Sequence, residues 1–189
     1  MPKFIININP YFVGGHVDTT RLIDDIISNA MPIKKLKFMD FIDAGNGVYA
    51  FLHEGEIIYI GKCSSRSFCE RISSHISKSP HGYMNNVMKK IAWFCSSKNL
   101  SKDEFLADTN EPDRTDSFRK AEKIMKDIKI VCISFEAFSS STKKKEICQL
   151  EKKLINSRPL NPLLNRRFKS HSSIKKTSSL FLKTITKSK

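Results

Sequence analysis

The chain has 189 residues, 40% of them apolar, with a formal net charge of +14 and a pI of about 9.6. That length suits one domain with extensions, and the apolar share is enough for a packed core. No run approaches the ~20 apolar residues that span a bilayer, and "MPKFIININP" lacks a signal-peptide pattern, so we expect a soluble, cytoplasmic protein with no membrane partner. A cationic excess of this size argues against polycationic partners and for polyanions, nucleic acid first.

Residues 1–44 open with the strand-like "KFIINI" and continue into "VDTTRLIDDIISN", where Val17, Leu22, Ile23, Ile26 and Ile27 follow helical spacing and Pro32 ends the helix. We take this segment as an N-terminal extension packing on the core. The stretch "GVYAFLHEGEIIYIGKC", residues 47–63, is a β-hairpin. A two-residue turn at Glu54-Gly55 puts Tyr49 and Tyr59 on opposite faces. A three-residue loop, His53-Glu54-Gly55, with Gly55 in a left-handed bulge position, sets Leu52 against Glu56 and Tyr49 directly across from Tyr59. We expect the second, with Tyr49, Phe51, Ile57 and Tyr59 on one face and Val48, Ala50, Leu52, Ile58 and Ile60 on the other.

Ser67 and Glu70 match a capping box, so a helix starts at Ser67 in "SFCERISSHIS". Its apolar stripe, Phe68, Ile72 and Ile76, also contains Arg71 and His75 at the i+3 and i+7 positions. A second helix, "YMNNVMKKIAWFC", carries Met84, Val87, Met88, Ile91 and Cys95 on one stripe. Residues 97–116 are polar, contain Pro112 and suggest a loop, followed by a surface helix "SFRKAEKIMKD". "IKIVCISFEAF" is a third strand, and "KKKEICQLEKKLINS" a last helix stopped by Pro159, with Glu151 lying inside the stripe of Ile147, Leu150, Leu154 and Ile155. The element order predicts an α/β (α+β) fold, a small central antiparallel three-stranded sheet flanked by helices.

Charges on buried stripes are costly unless they are paired, metal-bound or used. One arrangement that satisfies the rule is an Arg71–Glu151 ion pair at the edge of the two stripes. The five cysteines form no CxxC pair, and we expect free thiols of a reducing compartment. Cys63, Cys69, His75 and His81 recur every six residues, a spacing that cannot share one helix face. Residues 166–189 carry +8 of the +14 charge with no acidic residue, and their Ser/Thr/Lys-rich composition predicts a basic, disordered tail.

Gly47-Val48-Tyr49, Tyr59-Ile60-Gly61 followed by Lys62, then "ERISSH" and "LEKKLINSRPLNPLLN", together resemble the GIY-YIG nuclease family over residues 45–165. The resemblance implies a Mg²⁺-dependent (or Mn²⁺-dependent) endonuclease that hydrolyses DNA phosphodiester bonds. In it Glu151 holds the metal, and Arg71 neutralises charge developing on the phosphoryl oxygens. Tyr49 orients or deprotonates the attacking water with Lys62 as the nearby cation, Tyr59 holds phosphate or water, and His75 supports the base. Lys62 and Asn165 are the implied substrate-binding residues, with Asn161 the alternative to Asn165 as the family's terminal Asn. Restriction, mobile-element and DNA repair roles fit the resemblance, and a catalytically inactive basic nucleic-acid-binding module is the alternative from another class.

Overall fold

The computed structural model describes residues 2–42, 44–76, 87–96, 101–107, 112–136, 140–157, 160, 162–166 and 181. In chain order these form strand β1 (Ile5–Asn7), the short strands β2 (Phe12–Val13) and β3 (His16–Val17), helix α1 (Thr19–Asn29) and strand β4 (Met31–Pro32). The hairpin strands β5 (Gly47–His53) and β6 (Glu56–Cys63) come next, then helices α2 (Phe68–Ile76), α3 (Val87–Cys95), α4 (Lys102–Ala107) and α5 (Pro112–Met125). Strand β7 (Lys129–Ser134), helix α6 (Ser140–Ile155) and a 3₁₀ turn at Leu163–Asn165 complete them. Among the described residues no helix is long and apolar enough to cross a membrane.

The sheet has five strands, not the expected three. Its spatial order is β1-β7-β5-β6, and β4 pairs with β7 beside β1. The antiparallel β7-β5-β6 core is as anticipated, and "KFIINI" adds a strand to it: β1 runs parallel to β7, with Ile5 opposite Cys132. β5 covers one edge of β7 along its length, while β1 and β4 share the other. Strands buried on both faces carry near-continuous apolar runs, as "KIVCIS" and "GVYAFL" do. One face packs on α2, α3 and α5 through Phe68, Ile72, Trp93 and Ile124, and the other on α1 and α6 through Leu22, Ile26, Ile147 and Leu154.

The hairpin reaches its geometry by another route than the one expected. The turn has two residues, Glu54 and Gly55, both left-handed (φ 50° and 81°), and His53 pairs with Glu56. Leu52 then pairs with Ile57 but Phe51 with Tyr59, so Ile58 is the extra residue of a β-bulge. The bulge swaps the two isoleucines relative to expectation: Ile58 joins the cluster containing Tyr49, Phe51 and Tyr59, and Ile57 joins Val48, Ala50, Leu52 and Ile60. Both tyrosines therefore share one face, with Tyr49 opposite Gly61 and Tyr59 opposite Phe51. A Cβ on Gly61 would overlap the Tyr49 ring and hydroxyl, so only glycine lets that phenol lie flat across β6.

Three helical expectations change. The segment expected to be a loop contains α4, whose start is a second capping box: Ser101 N–H donates to Glu104 (2.7 Å) and Glu104 N–H to Ser101 Oγ (3.3 Å). Pro112 is the first residue of α5, a position where proline's fixed φ and missing N–H cost nothing. That helix is not superficial, since Ser117, Ala121, Ile124 and Met125 are buried. In α2 the capping box is as expected, with Ser67 N–H donating to Glu70 (3.0 Å) and Glu70 N–H to Ser67 Oγ (3.3 Å). His75, not Ile76, completes its buried stripe; Ile76 is 40% exposed. Met84 and His81 lie outside the described residues, and none of the five cysteines is in a disulfide.

Most of the basic tail also lies outside them; Arg166 and Phe181 are its described residues. Phe181 is fully buried, edge-on to His53 at 5.2 Å, and its N–H donates to Glu56 Oε2 (3.1 Å). It shields the buried His53 Nδ1, which has no hydrogen-bond partner. Phe181→Ala is expected to lower unfolding stability by about 3–5 kcal/mol, seen as a drop in urea midpoint at constant m-value. An unchanged midpoint would mean that this contact contributes nothing to the fold.

Candidate active site

The capping box of α2 fixes where that helix begins, and the helical period then places Arg71 and His75 one turn apart on the side facing the hairpin. His75 is 1% exposed and bridges three elements. Its Nδ1 accepts the N–H of Val87 at the start of α3 (3.3 Å), and its Nε2 lies 2.5 Å from the Tyr49 hydroxyl. Since Nδ1 is an acceptor, the neutral ring carries its proton on Nε2 and donates it to the Tyr49 oxygen. The three rings are close-set, with centroids 5.1 Å apart for Tyr59 and His75, 5.6 Å for Tyr49 and His75, and 6.2 Å for the two tyrosines.

Both phenols are shut away from water, Tyr49 completely and Tyr59 with 6% exposure. Burial raises both pKa values. At Tyr49 the neighbouring Tyr59 raises it further while Arg71 opposes the rise; at Tyr59 Arg71 opposes the rise and Glu151 adds to it. The half-buried Arg71 loses hydration, which works against its charge, but the Tyr49 and Tyr59 oxygens more than restore it and its pKa is raised. Tyr49 thus stays a protonated phenol held by its neighbours. Tyr59 is the phenol closer to solvent.

Lys62 pairs with Val48 across the hairpin and so projects to the opposite face of β6, where Glu151 of α6 meets it at 2.7 Å. That hydrogen bond raises the lysine pKa. Glu151 therefore pairs with Lys62 and not with Arg71, and the Arg71–Glu151 arrangement does not form. β6 is the edge strand of the sheet, and the Glu151 carboxylate adds to the raised pKa of Tyr59. The edge itself is sealed by Asn165, whose Oδ1 accepts the Ile60 N–H and whose Nδ2 donates to the Ile60 carbonyl, both at 2.7 Å. Its amide acts as a one-residue strand on β6. Asn161 lies outside the described residues.

A cation that sequence reasoning passed over also borders the site. Lys90 Nζ lies 5.4 Å above the Tyr59 ring and donates to the Leu164 carbonyl (2.6 Å), tying α3 to the turn that carries Asn165. Its signal was present in "VMKKIAWFC", where two lysines interrupt an otherwise apolar helix.

Among the described residues no group of three or more His, Cys, Asp or Glu side chains is arranged to hold a metal. Glu151 fits a sparser mode. Its side chain is 16% exposed, and its Oε2 meets Lys62. A hard dication that keeps most of its waters needs one or two carboxylates and completes its shell with phosphate oxygens. Comparison of the chain with protein-family models, curated proteins and solved structures finds no match.

The raised phenols give a titration test. Below the ordinary pKa of 10.0 the buried neutral forms stabilise the fold fully, and that contribution is lost as pH rises above 10.0, where the unfolded chain releases protons that the folded one retains. Tyr11, raised to about 12 chiefly by burial and then by its hydrogen bond to Asp25, behaves likewise. Phenolate absorbance should therefore lag well behind free tyrosine above pH 10 and appear together with loss of the circular-dichroism signal. Ionisation of Tyr49 and Tyr59 near pH 10 in the folded protein would contradict the buried geometry.

Proposed function

We propose that the chain is a metal-dependent endonuclease of the GIY-YIG type, hydrolysing DNA phosphodiester bonds with Mg²⁺ or Mn²⁺. The observation that carries this reading is the convergence of Tyr49, Tyr59, Arg71 and His75 on one sheet face, with Lys62 and Glu151 around the adjoining strand edge. A fold has no structural need for two phenols, an imidazole and a guanidinium in one apolar cluster. The net charge of +14 supports a polyanionic substrate.

In this reading Arg71 neutralises charge that builds on the phosphoryl oxygens in the transition state. Tyr59, the more accessible phenol, contacts phosphate or water through its hydroxyl. Tyr49 orients Tyr59 and is itself held by the His75 Nε2–H. Lys62 supplies positive charge beside the carboxylate, and Glu151 is the ligand that would hold the dication. When bound there, the metal supplies Lewis-acid stabilisation of the departing oxygen. One observation favours a second reading, a nucleic-acid-binding module without catalysis: Lys62 neutralises the proposed metal ligand while Tyr49 has no access to solvent.

Plasmid nicking in Mg²⁺ separates the two. Glu151→Gln keeps the side-chain volume and a hydrogen bond to Lys62, so folding and DNA affinity should survive while nicking falls roughly 100-fold or more. Arg71→Ala should reduce both nicking and affinity, since it removes a cation. A wild-type protein that binds but never nicks selects the second reading, and a Glu151→Gln variant that nicks normally leaves Glu151 as an ion-pair partner only.

A further inference from the structure

Residues 33–42 form an outward-facing turn that the proposed site does not use. Ile33, Leu36 and Phe41 anchor it to the core, Phe41 edge-on to Phe4 at 5.3 Å. The backbone is fixed by Ile33 N–H to the Ile128 carbonyl (3.0 Å) and by Lys37 N–H to Asp40 Oδ2 (2.7 Å). Between these anchors Phe38, Met39 and Ile42 stand 66%, 68% and 55% exposed, and Lys34, Lys35 and Lys37 are exposed beside them. Among the described residues Lys34 alone of these cations has an ionic partner, a distant one (3.8 Å) to the exposed Asp127. The turn packs beside α2, the helix that carries Arg71 and His75.

Large apolar side chains on a pinned backbone, directly following a run of cations, suit a ligand that offers flat apolar surfaces along an anionic thread. A single-stranded nucleic acid is such a ligand: phosphates meet the lysines, and bases stack on the aromatic ring. A protein partner seeking the same apolar surface would have to leave three ammonium groups facing it, and an intact duplex buries its base faces. We propose that Phe38 and Met39 bind unstacked bases of a DNA substrate, flanked by phosphate contacts from Lys34, Lys35 and Lys37, so that the enzyme prefers DNA with a single-stranded or distorted segment. The proposal rests on the reading of DNA as the substrate, but not on catalysis.

The test compares a fluorescein-labelled single-stranded oligonucleotide with the duplex of the same sequence. The double variant Phe38→Ala/Met39→Ala, whose side chains are exposed and whose thermal midpoint should stay unchanged, is expected to lose about tenfold in affinity for the single strand and little for the duplex. Phe38→Tyr, which keeps the ring, should retain single-strand binding. The triple Lys34, Lys35, Lys37→Gln variant should flatten the slope of log affinity against log salt by about two. Unchanged single-strand affinity in the double variant overturns the proposal, as does an equal loss on both DNAs. Loss of binding to phosphatidylserine vesicles, or of self-association in sedimentation, with oligonucleotide affinity unchanged would reassign the surface to a membrane or to a second copy of the chain. Nicking assayed in parallel keeps the two ideas apart: a wild type that discriminates through Phe38 but never nicks removes the nuclease and leaves the base-binding surface, and a nicking enzyme indifferent to Phe38 does the reverse.

Discussion

The contact between His75 and Tyr49 is the joint on which the site depends. It is a side-chain bond between a helix and a sheet, and the same imidazole receives the first described N–H of α3. One residue thereby sets the spacing of β5, α2 and α3 and the direction of the Tyr49 proton. A buried ring with both nitrogens engaged has one workable tautomer, so the orientation of the phenol follows from backbone geometry two elements away. Loss of the imidazole would leave a buried hydroxyl and a buried N–H short of a partner, at a typical cost of about 1–3 kcal/mol each.

The electrostatics divide along the edge strand. On one face of β6 a guanidinium stands among phenols in an apolar cluster, and on the other an ammonium and a carboxylate neutralise each other at the surface. Asn165 closes the unpaired edge between them with the hydrogen-bond pattern of a neighbouring strand, which keeps Ile60, and with it Tyr59 and Gly61 on either side, in fixed register. Sequence resemblance assigned Asn165 to substrate binding. Its amide is already bonded to the backbone at both ends, which suits bracing of the strand.

What the sequence disclosed was whatever depends on short-range periodicity or local hydrogen bonding. The hairpin strands, β7, α1, α6 and the Ser67–Glu70 start of α2 all have signals within a few residues of one another. β1 was recognisable as a strand, but nothing within "KFIINI" indicates a parallel partner 127 residues away, Cys132 for Ile5. β4 has two residues, fewer than any periodicity can mark. α4 and the start of α5 were legible in principle, since Ser101 and Glu104 repeat the cap of α2 and Pro112 is a helix opener, but the polar composition and the proline outweighed them. In the site, the residue types and their order were visible, whereas the Lys62–Glu151 pairing was not, because it depends on which face of a bulged strand each side chain takes. Phe181 was hidden by its company, one of two aromatics in a basic, low-complexity tail.

The bulge at Ile58 makes the hairpin a problem of parity. A two-residue turn with one bulge and a three-residue loop without one both leave the phenols on one face, but they exchange Ile57 for Ile58 and shift β6 by two residues past β5, so that Tyr49 lies opposite Gly61 in the first and opposite Tyr59 in the second. The first register gives the Tyr49 ring the space that a side chain at position 61 would fill. The left-handed pair Glu54 and Gly55 suits the tight turn, and the Glu56 carboxylate meets the N–H of Phe181. A single-residue insertion or deletion in this loop must be absorbed by gaining or losing a bulge, because an uncompensated odd step sends one phenol through the sheet.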